Sequence, residues 1–127
     1  MGLPRANRLK HRRDFDRIYK KGLYRQTPHL VLRALLEAKK NPIDGNERVE
    51  SPPQIGISIG RKVSKKAVIR NRIKRQIKAV MRELLPNIPP GWKIIIGVRS
   101  QALKCEYKDF LGELKQLLVK AEIINGN

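Results

Sequence analysis

The chain has 127 residues, and its 29 Lys and Arg outnumber its 11 Asp and Glu, which gives a formal net charge of +18 and an isoelectric point near 10.7. Its length and 40% apolar content suffice for a single domain, 1–127, with one modest core. Two domains would each be undersized in a chain of this length. A compact chain of this charge repels itself, and nucleic acid is the expected partner because Lys and Arg displace counterions condensed on a phosphate backbone.

Membrane association and disulfide chemistry are disfavoured. No stretch approaches the roughly 18 to 20 apolar residues of a membrane-spanning helix, and the N-terminus lacks the apolar run of a signal peptide, so we expect a cytoplasmic protein. Cys105 is a single cysteine and cannot form an intramolecular disulfide. With only two histidines beside it, Cys105 cannot anchor a cysteine-rich zinc site, and we predict no metal site in the protein.

A first helix is predicted from the spacing of apolar residues near the N-terminus. Four of them recur at near-helical steps among basic side chains: Leu9, Phe15, Ile18 and Tyr19. Gly22 is expected to end this helix, because glycine commonly follows the last helical turn. Residues 1–7 and 125–127 lack periodicity and are expected to fray.

Two strands separated by a loop are predicted next. After a polar link, the segment 29–38 reads HLVLRALLEA and predicts a strand, although Ala, Leu and Glu also suit a helix. Residues 39–54 contain three prolines and an Asp-Gly pair, which is typical of an exposed loop. The alternation of Ile55, Ile57 and Ile59 with smaller residues places the isoleucines on one face of a second strand.

The strongest helix signal begins after this strand. Apolar residues from Ile69 to Leu84 form one stripe at 100° per residue, which predicts a helix over residues 65–85. Ser64 is the expected N-cap. Pro86 is expected to stop the helix, because the residue before a proline is disfavoured in helical geometry.

The last elements complete the predicted fold class. The apolar run WKIIIGV at 92–98 predicts a central strand covered on both faces. Apolar residues recur at steps of three and four over 107–121, which predicts an amphipathic final helix. The order helix, strand, strand, helix, strand, helix (αββαβα) suits a single-domain α+β fold, with one sheet packed against helices as an α/β sandwich.

The candidate chemistry lies in the basic segment 61–82, where ten side chains are Lys or Arg and none is Asp or Glu. Like charges four residues apart each destabilise a helix by about 0.2 to 0.5 kcal/mol, so an external anion is expected to offset the repulsion. A purely solvated face would ordinarily mix both signs of charge. Arg70 and Arg72 diverge by about 200° and must face different groups, while Asn71 adds a neutral donor and acceptor.

The segment KVSKKAVIRNRIKRQIKAVMRE, residues 62–83, closely resembles the signature helix of the protein subunit of bacterial ribonuclease P. The resemblance continues in RLK…DFDRIYKKG, from Arg8 to Gly22, and in IGISIGRKVSKK at 55–66, and it covers nearly the whole chain. It implies an α/β sandwich with a left-handed β-α-β crossover, similar to a domain of a ribosomal protein.

The same resemblance implies an activity and its partners. In that family the RNA subunit performs the Mg²⁺-dependent endonucleolytic removal of the 5′ leader of precursor tRNA, and the protein assists without being the catalyst. The expected partners are therefore ribonuclease P RNA and precursor tRNA, with Mg²⁺ held mainly by the RNA subunit and the substrate. The protein is expected to be a monomer apart from the RNA.

The resemblance also assigns two sets of binding residues. Contacts with the catalytic RNA are assigned to Lys65, Lys66, Arg70, Asn71, Arg72, Lys74, Arg75 and Lys78. A cleft for the single-stranded leader, between the sheet and the first helix, is assigned to Phe15, Tyr19, Ser58, Arg61 and Lys62. Aromatic rings stack on unpaired bases for about 1 to 3 kcal/mol each, with little base preference. For Phe15 and Tyr19, burial in the core is an equally open alternative.

The sequence also bears on three other function classes. A protein-only nuclease would need an acid–base pair or a carboxylate cluster holding metal, but His11 lies in a basic run, and Asp14 and Asp16 have arginine neighbours. A ribosomal protein or assembly factor fits composition and fold equally well, and the long helix motif disfavours it. A major-groove DNA reader lacks a helix-turn-helix lead-in and a heptad dimerisation seam.

Overall fold

The computed structural model describes residues 3–37, 39–40, 48–49 and 51–125. Within these ranges the helices are α1 (Arg12–Lys21), α2 (Ala67–Leu84) and α3 (Tyr107–Lys120). The strands are β1 (Leu23–Gln26), β2 (Leu30–Leu36), β3 (Lys39–Lys40), β4 (Arg48–Val49), β5 (Gln54–Ser58) and β6 (Trp92–Val98). Short 3₁₀ turns cover Arg5–Asn7, Leu85–Asn87 and Ser100–Lys104.

Four strands form one mixed sheet in the order β1-β2-β6-β5. β6 runs antiparallel to β2, with Ile94 opposite Ala34, and parallel to β5, with Ile94 opposite Ile55. A parallel pair needs a crossover connection, and α2 supplies it between β5 and β6. The predicted α+β class and the β-α-β crossover are therefore confirmed. The left-handed sense of that crossover stays a prediction of the resemblance.

The strand β6 is buried on both faces, as its continuous apolar run predicts. Ile94 and Ile96 belong to the main core, whereas Ile95 belongs to a smaller cluster on the opposite face. All three side chains are at most 1% exposed. Burying each of them stabilises the fold by about 1.5 to 3 kcal/mol relative to exposure.

The main core lies between the sheet and the two longer helices. From α2 it takes the predicted stripe, namely Ile73, Ile77, Val80, Met81 and Leu84. From α3 it takes Phe110, Leu114, Leu117 and Leu118. The two helices therefore cover the same face of the sheet, and the basic side chains of α2 are left on its remaining surface.

The helix α1 packs on the opposite face of the sheet. Its Ile18 joins Leu9 and Ile95 in the smaller cluster, with Phe15 and Leu35 half-buried against them. This cluster is small, so α1 relies on polar contacts as well.

A charged network makes those polar contacts between α1 and the sheet. The ammonium of Lys93 on β6 lies 2.9 Å from a carboxylate oxygen of Asp14 and 3.0 Å from one of Glu37. Arg17 on α1 pairs with the same Glu37. The side chains of Asp14, Glu37 and Lys93 are at most 13% exposed, so this network resists screening by salt better than a surface ion pair does.

The N-terminal segment is ordered by packing, and the prediction that it frays is wrong for residues 3–7. Leu3 is 2% exposed within the main core. The Asn7 side-chain amide donates to the Pro53 carbonyl at 2.7 Å, and the Leu9 backbone N–H donates to the Ile55 carbonyl at 3.0 Å. Leu9 therefore precedes α1 instead of opening it.

The predicted polar link after Gly22 contains the strand β1. Its residues pair with β2 from Leu23 opposite Ala34 to Gln26 opposite Val31, and all but the half-buried Leu23 are exposed. An edge strand with polar outer residues gives no apolar alternation, so the sequence carried no signal for it. The following segment is a strand, β2, and the helical alternative for it is wrong.

The predicted loop over 39–54 contains a short antiparallel ladder. Lys39 lies opposite Val49, and Lys40 lies opposite Arg48. The final residue of the predicted loop, Gln54, already belongs to β5. The remainder of the predicted loop that falls on 41–47 and 50, and the predicted frayed ends at 1–2 and 126–127, lie outside the described residues.

The beginning of α2 differs from its prediction. Lys66, without a side-chain cap, occupies the N-cap, and Ser64 instead accepts a hydrogen bond at its Oγ from the Lys66 backbone N–H at 3.2 Å. The predicted N-cap role of Ser64 is therefore wrong, and the helix starts two residues later than its predicted first residue, 65.

The end of α2 lies where it was predicted, but for another reason. Leu85 keeps helical angles, with φ −50° and ψ −42°, directly before Pro86. Pro86 then enters a 3₁₀ turn near its start, where a missing N–H costs little. The proline thus redirects the chain without forcing its predecessor out of helical geometry.

Two glycines test the packing around α1 and α3. A Cβ added at Gly22 would lie 2.5 Å from the Ile18 carbonyl oxygen and 2.9 Å from that of Ala34, whereas one at Gly112 would meet nothing within 4 Å. We expect Gly22→Ala to lower the free energy of unfolding by about 1 to 3 kcal/mol. The matched Gly112→Ala should raise it by about 0.5 to 1 kcal/mol, because alanine favours a helix interior. Urea denaturation measures both, and equal effects of the two substitutions would contradict this packing.

Candidate nucleic-acid interface

A groove lies between the N-terminal segment, α1, β5 and α2, with a volume of about 260 Å³. Its apolar lining includes Leu9, Phe15 and Ile57. Its cationic lining consists of Arg8, Lys10, Lys74 and Lys78. We call this feature the basic groove. An apolar floor between cationic walls is the arrangement that suits an unpaired nucleic-acid strand, since bases stack and phosphates pair with the cations.

Phe15 forms part of the floor of the basic groove. It is half-buried, and an added Cβ at Gly56 on β5 would lie 2.8 Å from its ring. Glycine at this position therefore permits the ring to approach the strand closely. Burial in the core is thus only partly right for Phe15, because the ring packs against the smaller cluster and also lines the groove, and its contact with a leader stays a prediction.

Tyr19 lies on the surface, and the alternative that it is buried in the core is wrong. It is 48% exposed, and the guanidinium carbon of Arg33 lies 5.0 Å from its ring centre. Arg33 also lies 4.8 Å from the ring centre of Tyr24, its direct partner in the ladder between β1 and β2. The cation is thus held near two aromatic rings, each contact being worth about 0.5 to 1 kcal/mol at an exposed site.

Arg33 was not predicted as a site residue. The residue Arg33 stands in an apolar run, and its role depends on which face of β2 it occupies. Alternation along β2 places Leu32 and Ala34 in the main core and Arg33 on the opposite face. The alternation along β2 was the only sequence signal for the position of Arg33. It could not indicate the contact with Tyr24, because that contact depends on β1, which was not predicted.

Arg70 has a structural contact in addition to its predicted role. It is half-buried, and its guanidinium donates to the Ser64 carbonyl at 2.8 Å. This bond ties the first turn of α2 to the segment that precedes it. Arg70 therefore positions the backbone around Lys65 and Lys66, which are both exposed.

The remaining predicted residues of α2 divide between two surfaces. Lys74 and Lys78 line the basic groove and also a second, shallow concavity on the helix. Asn71, Arg75 and Val68 line that second concavity with them. Arg72 is exposed, and neither Arg72 nor Arg70 lines either concavity.

Three further residues were assigned to the leader cleft. Ser58, Arg61 and Lys62 are exposed at the end of β5 and in the turn that follows it, and none of them lines the basic groove. Val63 is 6% exposed and anchors this turn in the main core. The turn leads into α2, so its cations extend the positive surface of that helix.

No helix among the described residues is both long and apolar enough to cross a bilayer.

Comparison with known families identifies one match. A family model described as Ribonuclease P matches residues 3–122, which is nearly the whole chain.

Curated relatives show the same similarity along their full lengths. The chain is 52% identical to the ribonuclease P protein component of Microcystis aeruginosa, with 100% of both chains covered. It is 41% identical to that of a Synechocystis strain, with 98% of this chain and 93% of the relative covered. These relatives come from cyanobacteria.

Solved structures agree in fold. The ribonuclease P protein of Staphylococcus aureus superposes with a TM-score of 0.76 at 27% identity, covering 94% of this chain and 98% of that one. The ribonuclease P protein of Thermotoga maritima gives a TM-score of 0.72 at 26% identity, covering 89% and 96% respectively.

The basic groove generates a test with a simple readout. Replacing Lys74 and Lys78 by Gln should weaken binding of a single-stranded oligonucleotide and lower the slope of log affinity against log salt by roughly 0.7 per lysine that contacts a phosphate. Fluorescence anisotropy over a salt series measures this slope. Lys115→Gln, on the exposed face of α3, is the matched control and should leave the slope unchanged. Equal slopes for the double variant and the control would contradict a phosphate-binding role for the groove.

Proposed function

Because the chain belongs to the ribonuclease P protein family, we propose that it is the protein subunit of a bacterial ribonuclease P that binds the catalytic RNA and the 5′ leader of precursor tRNA. The observation that carries this proposal is the basic groove, where Phe15 lies between cations of the N-terminal segment and cations of α2. Family membership implies an RNA partner, and the groove supplies a surface on which an unpaired strand fits.

The leader is proposed to lie along the basic groove. Its sugar-phosphate chain follows Lys74 and Lys78 on one wall and Arg8 on the other, while an unpaired base stacks on Phe15. Beyond the groove, the rings of Tyr19 and Tyr24 on either side of Arg33 offer further stacking surface on the same face of the sheet. Stacking accepts every base, so the leader is bound with little sequence preference.

The catalytic RNA is proposed to bind the outer surface of α2 and the turn before it. Asn71 and Arg75 line the shallow concavity, whereas Arg72 is exposed outside it. Lys65 and Lys66 at the helix start are exposed. Guanidinium groups bind phosphate oxygens through two hydrogen bonds, which fixes orientation as well as strength. Two surfaces of one helix therefore serve two RNAs, with Lys74 and Lys78 at their boundary.

The hydrolysis itself is assigned to the RNA subunit with Mg²⁺. Magnesium prefers oxygen ligands, and residues 61–82 contain no carboxylate. Beside α1, the carboxylates of Asp14 and Glu37 are occupied by Lys93 and Arg17. These residues do not fit a Mg²⁺ site, so the ion is proposed to be held mainly by the RNA subunit and the substrate.

Within this proposal the protein acts by electrostatics and positioning. Its net charge of +18 lowers the repulsion between two polyanions, the catalytic RNA and the precursor. The proposed protein is a monomer apart from the RNA and works in the cytoplasm, where precursor tRNA is made.

Reconstitution tests the proposal directly. Cleavage of a 5′-extended precursor tRNA by a bacterial ribonuclease P RNA at low Mg²⁺ should be stimulated by the protein, because its cations replace part of the screening by Mg²⁺. Protein without RNA should give no product. Cleavage by the protein alone would make it a nuclease, and the absence of any stimulation would favour a ribosomal or assembly role.

Two substitutions separate the proposed roles. Phe15→Ala should weaken binding of precursor tRNA by the assembled enzyme about 5- to 150-fold, the equivalent of about 1 to 3 kcal/mol for one stacked base, and leave binding of mature tRNA unchanged. Arg72→Ala should instead weaken assembly with the catalytic RNA. Gel-shift titrations with each RNA measure both effects. The opposite pattern would reverse the assignment of the two surfaces.

A further inference from the structure

Three potential metal-ligating side chains meet at the junction of β2 and α3, outside the basic groove. His29 directly precedes β2, Cys105 joins the third 3₁₀ turn to α3, and Glu113 lies on α3 itself. One donor atom of each, a ring nitrogen, the thiol sulfur and a carboxylate oxygen, lies within 4.8 Å of the other two. None of the three lines the basic groove. Neither the family assignment nor the proposed function uses them.

Hydrogen bonds hold Glu113 beside His29. One carboxylate oxygen accepts the His29 backbone N–H at 2.9 Å, and the other lies 2.6 Å from His29 Nδ1. Burial alone would raise the pKa of Glu113, but hydrogen bonds from Thr27 and His29 outweigh burial and lower it. Glu113 therefore carries a negative charge beside an imidazole, and both a carboxylate and an imidazole are groups that bind zinc in proteins.

Cys105 lies in the field of two carboxylates. It is 8% exposed, and burial together with the charges of Glu113 and Asp109 raises the pKa of its thiol. Without a cation the sulfur keeps its proton. The same negative charges favour a cation at this point, even though the chain as a whole is strongly positive.

We propose that His29, Cys105 and Glu113 bind one divalent cation of the zinc class. A donor set of nitrogen, sulfur and oxygen is typical of Zn²⁺ and selects against Mg²⁺, which prefers oxygen ligands in an octahedral arrangement. Three protein ligands leave a fourth position, and the His29 side chain is 34% exposed, so water can occupy it.

The geometry requires a small closure of the cluster. Bonds of about 2.0 to 2.3 Å to a tetrahedral zinc place the ligand atoms roughly 3.5 Å apart. The short contact between His29 and Glu113 must open and the sulfur must approach, both through side-chain rotation. The thiol proton leaves to solvent as the thiolate binds, and the imidazole coordinates through a ring-nitrogen lone pair. The bound cation then joins the start of β2 to α3.

The sequence expectation of no metal site overlooked this cluster for a physical reason. His29 and Glu113 are 84 residues apart, and only the packing of α3 beside β2 brings them together. The expectation considered cysteine-rich zinc sites, and one cysteine with one histidine and one carboxylate does not follow their spacing.

A cobalt titration of the tag-free protein, without RNA, tests the proposal. Co²⁺ should produce a thiolate-to-metal charge-transfer absorption at one equivalent, and Zn²⁺ should abolish it whereas excess Mg²⁺ should not. Cys105→Ser should remove the band. His29→Gln and Glu113→Gln should each weaken binding at least tenfold. His11→Gln is the matched control, because it removes the other histidine, which lies in the exposed segment before α1, and should leave the titration unchanged.

Two measurements keep the result independent of folding defects. Circular dichroism of each variant identifies any variant that is unfolded. In the unaltered protein, Zn²⁺ should protect Cys105 from alkylation at the same concentrations that raise the melting temperature of the protein. The absence of a charge-transfer band in the unaltered protein overturns the proposal. Equal cobalt affinity in folded His29→Gln and unaltered protein overturns it as well. Neither outcome bears on RNA binding, so failure of the metal site would leave the proposed function untouched, and the reverse also holds.

Discussion

The burial of β6 on both faces determines where the other elements lie. Ile94 and Ile96 require the cover that α2 and α3 provide, whereas Ile95 requires the cover that α1 provides. Because β5 lies parallel to β6, the chain must cross over between them, and α2 forms that crossover. The basic helix and α1 therefore both border β5, and the basic groove is the space between them. On the face of β6 toward α1, Ile95 packs against Ile18 and Lys93 pairs with Asp14, so apolar and polar contacts together hold α1.

The charge of the chain is distributed unevenly over the sheet and its three helices. The basic segment 61–82 lacks carboxylates, so α2 gains its stability from its buried apolar stripe and not from ion pairs along its surface. Glu106 and Asp109 instead form a capping box at the beginning of α3, and Glu113 lies in the middle of the same helix. The cations of α2 therefore repel one another without carboxylates of the segment 61–82 to offset them, whereas the beginning of α3 carries a pair of carboxylates.

The features that the sequence predicts correctly are those encoded over short distances. The stripe of α2 repeats over 18 residues and the apolar run of β6 is continuous, so both elements were predicted with nearly correct bounds. Features that depend on distant partners were missed. The burial of Leu3, the strand β1 and the stack of Tyr19, Arg33 and Tyr24 all arise from contacts between elements, and no local periodicity encodes them.

The contact of the N-terminal segment with β5 has a consequence for the solubility of the protein. β5 ends the sheet on one side, and an uncovered edge strand offers backbone donors and acceptors to a strand of another molecule. Arg8 forms a parallel bridge with Ile55, and the Leu9 N–H donates to the Ile55 carbonyl, so the segment shields part of that edge. The positive charge of Arg8 adds repulsion against a second copy approaching the same place. The segment that borders the basic groove thus also guards the domain against edge-to-edge aggregation.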